Sequence, residues 1–382
     1  QVGNMGHKLF DGGYKQLFKE ANEQSDEAIF SLQCIDNNGT ADGNSMSFRY
    51  GGRTTFGSCW NTILASTDFV DTYENIDGSK FNWDDYLPGY SSMEPKDREV
   101  FFLRNTDADV LKAELLSLGY EGDIDAAIKG IREKVENRLS KLSTAAQALY
   151  LPAGNEARIK KAYESRDPRL QMAVITPYAQ YNGASSGIAH TYTLRWPYRG
   201  SDSAEPFDIR TDTNDKFYYL WRKFVPEGLE QTERDTYGLD IPLIRYAEVL
   251  LLKAEALNEW GSTHESEAIR CVNEVRRRAG HVELNNATYP ATKVNGQSDL
   301  RERIRNEYYW EIGGEDSMYF HELRWGTWKD KKFDNNRNGL MQMWGETTYT
   351  WYWLGDQCWS WPIPAKEMEM NSNLEQNEGW IN

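Results

Sequence analysis

The sequence has no run approaching the ~20 consecutive apolar residues that a membrane-spanning helix needs. It also lacks basic surplus: 43 Lys and Arg stand against 59 Asp and Glu, a formal net charge of −16. A chain this acidic repels phosphate backbones, so nucleic acid is excluded as an expected partner. Only four cysteines occur (Cys34, Cys59, Cys271, Cys358), and none forms a CxxC pair. That excludes a zinc ribbon or a thioredoxin-type motif and leaves both disulfides and thiols open. The five histidines (His7, His190, His264, His281, His321) show no HExxH or HxxxH spacing, so no histidine-based metal site is expected. No phosphate loop or dinucleotide fingerprint is present. The first residue is Gln1, with neither an initiator Met nor a signal-like apolar core, so the chain reads as processed or truncated at its start.

What is present is organised by periodicity. At 382 residues the chain suffices for a sizeable core in one large domain or two. Residues 8–35 read as a helix followed by an extended segment. Residues 36–100 are rich in Gly, Asn, Asp and aromatics and read as loops with short strands. Residues 107–150 are helical, with Asp123 a candidate N-cap. Residues 166–226 return to loops, with RDPRL a turn and MAVITPY a short strand. The clearest helix is LIRYAEVLLLKAEALNEWG, where Leu243, Ala247, Leu250, Ala254 and Leu257 recur at helical spacing and Ile244 and Leu251 widen the stripe. ESEAIRCVNEVRRRAG repeats the pattern at Ala268, Val272, Val275 and Ala279. The two form an αα-hairpin of tetratricopeptide-like size, whose apolar faces require neighbours.

IPLIRYAEVLLLKAEALNEWG resembles the signature helix of the SusD/RagB family, the surface nutrient-binding lipoproteins of Bacteroidota. EAIRCVNEVRRRAG, IRNEYYWEIGGEDSMYFHELRWG and WPIPAKEMEMNSNLEQNEGW are similar to its next three motifs, in order. DFVDTYENIDGSKFNWDDY and SRDPRL fit the pattern more loosely. In the third motif Glu315, Arg324 and Trp325 match, whereas Met318 and His321 stand where the family usually has Arg and Asp, which questions a local ion pair. The resemblance implies a mostly α fold, with tetratricopeptide-like helical hairpins covered on one side by long loops and short strands. It implies one SusD-like domain over 1–382, with a loop-rich ligand-binding portion at 36–226 and a helical scaffold and tail at 227–382. The family's N-terminal helical repeats and lipobox cysteine are not found in this sequence, so membrane attachment would run through a lipid anchor outside it. The implied function is non-catalytic capture of oligosaccharide or polysaccharide at the outer membrane, with a SusC-like TonB-dependent transporter as partner. Peptide capture, as in RagB-like members, is the rival within the family.

Motifs that suggest catalysis are weaker. Gly183-Ala184-Ser185-Ser186-Gly187 matches G-x-S-x-G, but its flanks are a polar loop without helical pattern, whereas a nucleophile elbow needs a strand before and a helix after. Asp84 with Asp85, or Glu311 with Glu315, could be nominated as a glycosidase acid pair, yet nothing in the sequence distinguishes either from ordinary acids. No cofactor is expected. Acidic loop residues Asp212, Asp215, Asp84 and Asp85 carry the oxygen ligands that calcium takes, with plain solvation the blander reading.

Aromatics on polar loops are the positive signal. A sugar offers an apolar C–H face and a hydroxyl edge, which an aromatic ring flanked by amides or carboxylates matches. Two segments qualify: Tyr181, Tyr192, Trp196 and Tyr198 with Asn182 and Arg199, and Trp83, Tyr86 and Tyr90 with Asn82, Asp84 and Asp85. The resemblance favours the first, because the loops after the family's DPR motif often supply sugar-facing aromatics. The stretch WGETTYTWYWLGDQCWSW (344–361) concentrates five tryptophans. Trp359 and Trp361 are expected to pack the chain end onto the scaffold, and Trp344, Trp351 and Trp353 to be core, with a ligand-facing rim as the alternative.

Overall fold

A computed structural model describes residues 2–35, 43–185, 187–198, 207–211, 213, 215–230, 234, 236–315, 317–333 and 339–381. The architecture is mostly helical. The principal helices are α1 (Thr67–Thr72), α2 (Ala108–Ser117), α3 (Ile124–Leu139), α4 (Asn155–Glu164), α5 (Arg169–Ala173), α6 (Tyr246–Trp260), α7 (Glu265–Arg278), α8 (Gln297–Ile312), α9 (Met318–Trp325) and α10 (Trp328–Lys332). Side-chain caps fix several starts. Ser66 Oγ accepts from Phe69 N at 3.1 Å, Asp107 accepts from the Asp109 and Val110 amides, and Asp123 accepts from Ala126 N at 3.0 Å, the cap expected from the sequence.

The strands are short and antiparallel. β1 (Ala28–Leu32) pairs with β6 (Ile241–Arg245), β2 (Val174–Ile175) with β5 (Leu220–Trp221), β3 (Gln180–Ser185) with β4 (Ile188–Thr193), and β7 (Gly339–Met341) with β8 (Thr347–Thr350). The G-x-S-x-G match lies on the β3–β4 hairpin, so a strand rather than a helix follows its turn; Ser186 itself lies outside the described residues.

Helices α6, α7 and α8 pack together through Ala247, Leu251, Ala254, Ala268, Val272, Val275, Leu300 and Ile304, all essentially inaccessible. Small residues on α6 let its backbone approach its neighbours. Each buried Leu, Ile or Val contributes about 1.5–3 kcal/mol relative to exposure. The expected stripe is corrected at its start: Leu243 and Ile244 are exposed, because residues 241–245 are strand, not helix. Pairing with β1 holds that segment extended, and the Tyr246 amide donates to Glu27 O at 2.8 Å where the helix begins.

A second core is dominated by rings. It runs from Tyr14 through Tyr73, Trp83, Tyr163, Tyr181, Trp196 and Phe217 to Trp310 and Trp344. Between the two cores lies a buried ion network. Arg245 pairs with Glu27, with Glu311 at 3.0 Å and with Glu315 at 2.7 Å. Arg169 holds Asp167 and Glu307 at 2.7 Å each, and Arg276 holds Glu74 at 2.8 Å and Glu307 at 3.0 Å. Burial opposes ionisation of Glu311, but Arg278, Arg245 and Arg169 outweigh it and keep its carboxyl well below the ordinary range. Glu311 and Glu315, nominated above as an acid pair, are thus both engaged by Arg245 inside this network. The chain also meets its own third motif here. Arg324 grips Glu255 through two bonds of 2.5 and 2.7 Å, and His321 Nε2 lies 2.9 Å from Glu248, so the histidine sustains a carboxylate contact at the position that departs from the family pattern. All four cysteines are thiols.

Candidate functional site

The aromatics selected from the sequence are mostly core. Tyr181 and Tyr192 face each other across β3 and β4 with both rings turned inward. The Tyr181 hydroxyl donates to Pro226 O at 2.6 Å and lies 3.1 Å from Thr55 Oγ1. Trp196 is 1% exposed; its ring stacks on Phe217 and its Nε1 donates to Glu99 at 2.8 Å. Tyr198 is buried beside it, edge-on to the Trp196 ring. Trp83 and Tyr90 stack on each other at 4.8 Å inside the same core, and Tyr86 is half-buried with its hydroxyl on Asn75. The expectation that these two segments present rings to a ligand is therefore corrected. Of the set, Asn182 on β3 and Asn82 and Asp85 beside Trp83 are exposed, so polar side chains rather than rings face out. The loops look polar because their hairpin and turn geometry sends the rings inward and the amides outward. Arg199 lies outside the described residues, as does Asp212 of the calcium candidates. Among the described residues no cluster of three metal-ligating side chains forms.

The tryptophan-rich stretch divides differently from expectation. Trp344 is core, in contact with Trp196 and Phe102. Trp353 and Trp359 pack with Trp328 and Phe333 of the α10 region in a four-ring cluster. Trp361 is 71% exposed, its Nε1 on the Tyr319 hydroxyl, so it does not pin the chain end to the core.

Trp351, expected as core with a ligand-facing rim as the alternative, lines an open groove. The groove's central cleft, about 580 Å³, lies between α1 and the α8–α10 segment. Its apolar surface comes from Leu64, Phe69, Trp221, Tyr309 and Met318. Phe69 and Trp221 lie 5.4 Å apart. Two glycines keep the floor open: a Cβ on Gly313 would come within 2.6 Å of the Phe69 ring, and one on Gly314, where φ is +83°, within 3.0 Å of Trp221.

Charged groups line the same cleft: Asp68, Asp71, Glu322, Lys331 and Lys332. Tyr309 donates to Glu322 Oε1 at 2.6 Å, and Lys332 lies 3.6 Å from the same carboxylate. Lys331 sits 4.4 Å from the Tyr309 ring centroid, and burial lowers its ammonium below the ordinary lysine range. Through Ser66, Asp68 and Lys332 the cleft continues into one of about 330 Å³ bounded by Trp328, Phe333 and Trp351. Through Asp71 and Thr72 it continues the other way into a polar cleft of about 510 Å³ that holds Glu74, Ser79, Lys80, Asp299, Arg303 and Asn306. An elongated path with rings along its middle and hydrogen-bonding groups at its edges suits a chain-like, hydroxyl-rich ligand. The residues come from segments 64–72, 221, 309–333 and 351, which the tertiary fold brings together.

Helical hairpins bearing such a groove on a loop-covered side define the class of this protein as a SusD-like helical fold. Residues 26–380 match the SusD family, and the chain belongs to that family. SusD-like protein P2 of Formosa agariphila is 34% identical over 268 residues, 69% of this chain and 46% of that one. Starch-binding protein SusD of Bacteroides thetaiotaomicron is 28% identical over 161 residues, 42% of this chain and 25% of that one. Among solved structures, a SusD-like carbohydrate-binding protein from Bacteroides fragilis superposes with a TM-score of 0.59 at 20% identity, covering 98% of this chain and 59% of the other. A second SusD-like protein from that species gives 0.56 at 19% identity, covering 99% and 60%. The chain thus spans less than half the length of these curated relatives and about three-fifths of these structures.

Proposed function

We propose that the protein captures oligosaccharide or polysaccharide at the cell surface without degrading it and passes it to a TonB-dependent outer-membrane transporter. The observation that carries this reading is the groove, where Phe69, Trp221 and Tyr309 lie among Asp68, Asp71, Glu322 and Lys332. The half-buried Phe69 ring, backed by the largely buried Trp221 and Tyr309, suits a sugar C–H face, and the flanking carboxylates and ammonium suit hydroxyl edges. Membership of the SusD family supports it, as do a relative named for starch binding and a structural neighbour named for carbohydrate binding. The transporter partner and a lipid-anchored position on the outer membrane follow from the family resemblance.

The test is affinity electrophoresis through gels containing α-1,4-glucan, β-1,4-glucan, xylan, mannan, galactan or alginate, with reducing ends assayed in parallel. Retarded migration in at least one gel without release of reducing ends is expected. Turnover that tracks with the protein and is abolished by one carboxylate substitution contradicts the non-catalytic reading, and migration unchanged in every gel contradicts glycan capture.

A further inference from the structure

The segment that supplies Leu64 and Ser66 to the groove carries, four residues earlier, a tryptophan presented to solvent. Trp60 is 43% exposed and Ile63 is 41% exposed. Their neighbours Cys59 and Asn61 are buried, so the chain alternates between anchoring itself and projecting outward. The anchoring is backbone-deep: Trp60 N donates to Phe48 O at 2.9 Å, Asn61 N to Gly51 O at 2.8 Å, and Ile63 N to Arg49 O at 3.0 Å.

The backbone here is also strained. Ser58 has φ of 63° and Asn61 of 40°, both in the left-handed region that most L residues avoid. A strained turn on both sides of an exposed indole is costly if the ring merely needs covering. It is intelligible if the ring must point outward. The indole is also held by neighbouring side chains. Phe48 lies 5.0 Å away centroid to centroid, and the guanidinium carbons of Arg53 and Arg234 lie 5.9 and 5.5 Å from its ring. Both arginines reach the Ser58 carbonyl, at 3.5 and 3.4 Å, which ties the brace to the strained turn. A ring fixed in this way loses little freedom when a ligand stacks on it.

Four residues span at most about 14 Å, so Trp60 lies within that distance of Leu64 along the chain. We infer that Trp60 is an outlying stacking platform that continues the groove, so that the protein prefers glycan chains long enough to reach from the α1 cleft to this ring. This rests on the glycan reading of the groove and adds a length requirement to it.

The test uses trimers and octamers of the six panel glycans, titrated calorimetrically into the wild type, Trp60→Ala and Trp60→Leu. The leucine variant keeps apolar bulk against Phe48 and removes only the ring, which covers the case in which the alanine variant fails to fold. The octamer that binds the wild type is expected to bind both folded variants about fivefold to tenfold more weakly, with the affinity of its trimer unchanged. Equal octamer affinity in wild type and Trp60→Leu overturns the platform and leaves the groove reading intact. An equal loss for trimer and octamer also overturns it, by placing Trp60 in the primary site. If no octamer binds the wild type, the groove reading and the platform fall together.

Discussion

At the scale of single residues, burial assigns the tryptophans to different tasks. Trp196 is enclosed by Phe217, Tyr198 and Trp344 and satisfied by Glu99, so Trp196→Ala should cost about 3–5 kcal/mol, seen as a large fall in denaturant midpoint. Trp361→Ala removes an exposed ring and should change stability by no more than about 0.5 kcal/mol. Similar melting of the two variants would contradict this division. Glu311 ties three arginines together, and breaking so buried a pairing costs about 3–5 kcal/mol, the loss expected for Glu311→Gln at neutral pH. Its pH dependence follows from linkage. The folded carboxyl sits below the unfolded value of about 4.3, so the unfolded state binds more protons in between. The stability contributed by Glu311 is therefore complete above about pH 4.3 and is lost as pH falls through the folded value. Melting temperature should fall more steeply with acidification in the wild type than in Glu311→Gln, and parallel curves would show that other carboxylates govern acid unfolding.

At the scale of elements, the α6–α7–α8 packing was legible because its signal is local. Ala247, Ala254, Ala268, Val272 and Val275 recur at helical spacing, and each is wholly buried. Replacing Ala254 with Leu should overpack the interface and cost roughly 1–3 kcal/mol, measured as a lower urea midpoint at unchanged slope. An unchanged midpoint would mean that the interface accommodates the added bulk. The start of α6 was not legible, since Leu243 and Ile244 continue the apolar pattern while pairing to β1, more than 200 residues earlier, makes them strand. The rings of β3 and β4 misled for a related reason. Asn182, Gly183 and Ser185 make the segment look like an open loop, yet pairing of β3 with β4 sets Tyr181 opposite Tyr192 with both rings buried. Two stretches of the groove, 68–72 and 309–322, lie within segments that carry the family resemblance, but their meeting with Trp221 and Lys332 in one cleft is tertiary and has no local signal.

At the scale of the whole molecule, α1 and the α8–α10 segment leave an open groove between them. The buried arginine–carboxylate network joins Glu27, just before β1, to β6, α5, α7 and α8 and so ties α8, which lines the groove, to its neighbours. If sugar is held in this groove, a calorimetric titration with the panel octamer that binds the wild type, repeated on Phe69→Ala, will read it. Phe69 is half-buried and lines the central cleft beside Trp221, so its loss removes a stacking surface from the site. A stacked ring contributes about 1 kcal/mol, so affinity should fall roughly fivefold in the folded variant. Octamer affinity equal to that of the wild type, in a Phe69→Ala protein that still melts cooperatively, would contradict the account and place the glycan elsewhere on the molecule.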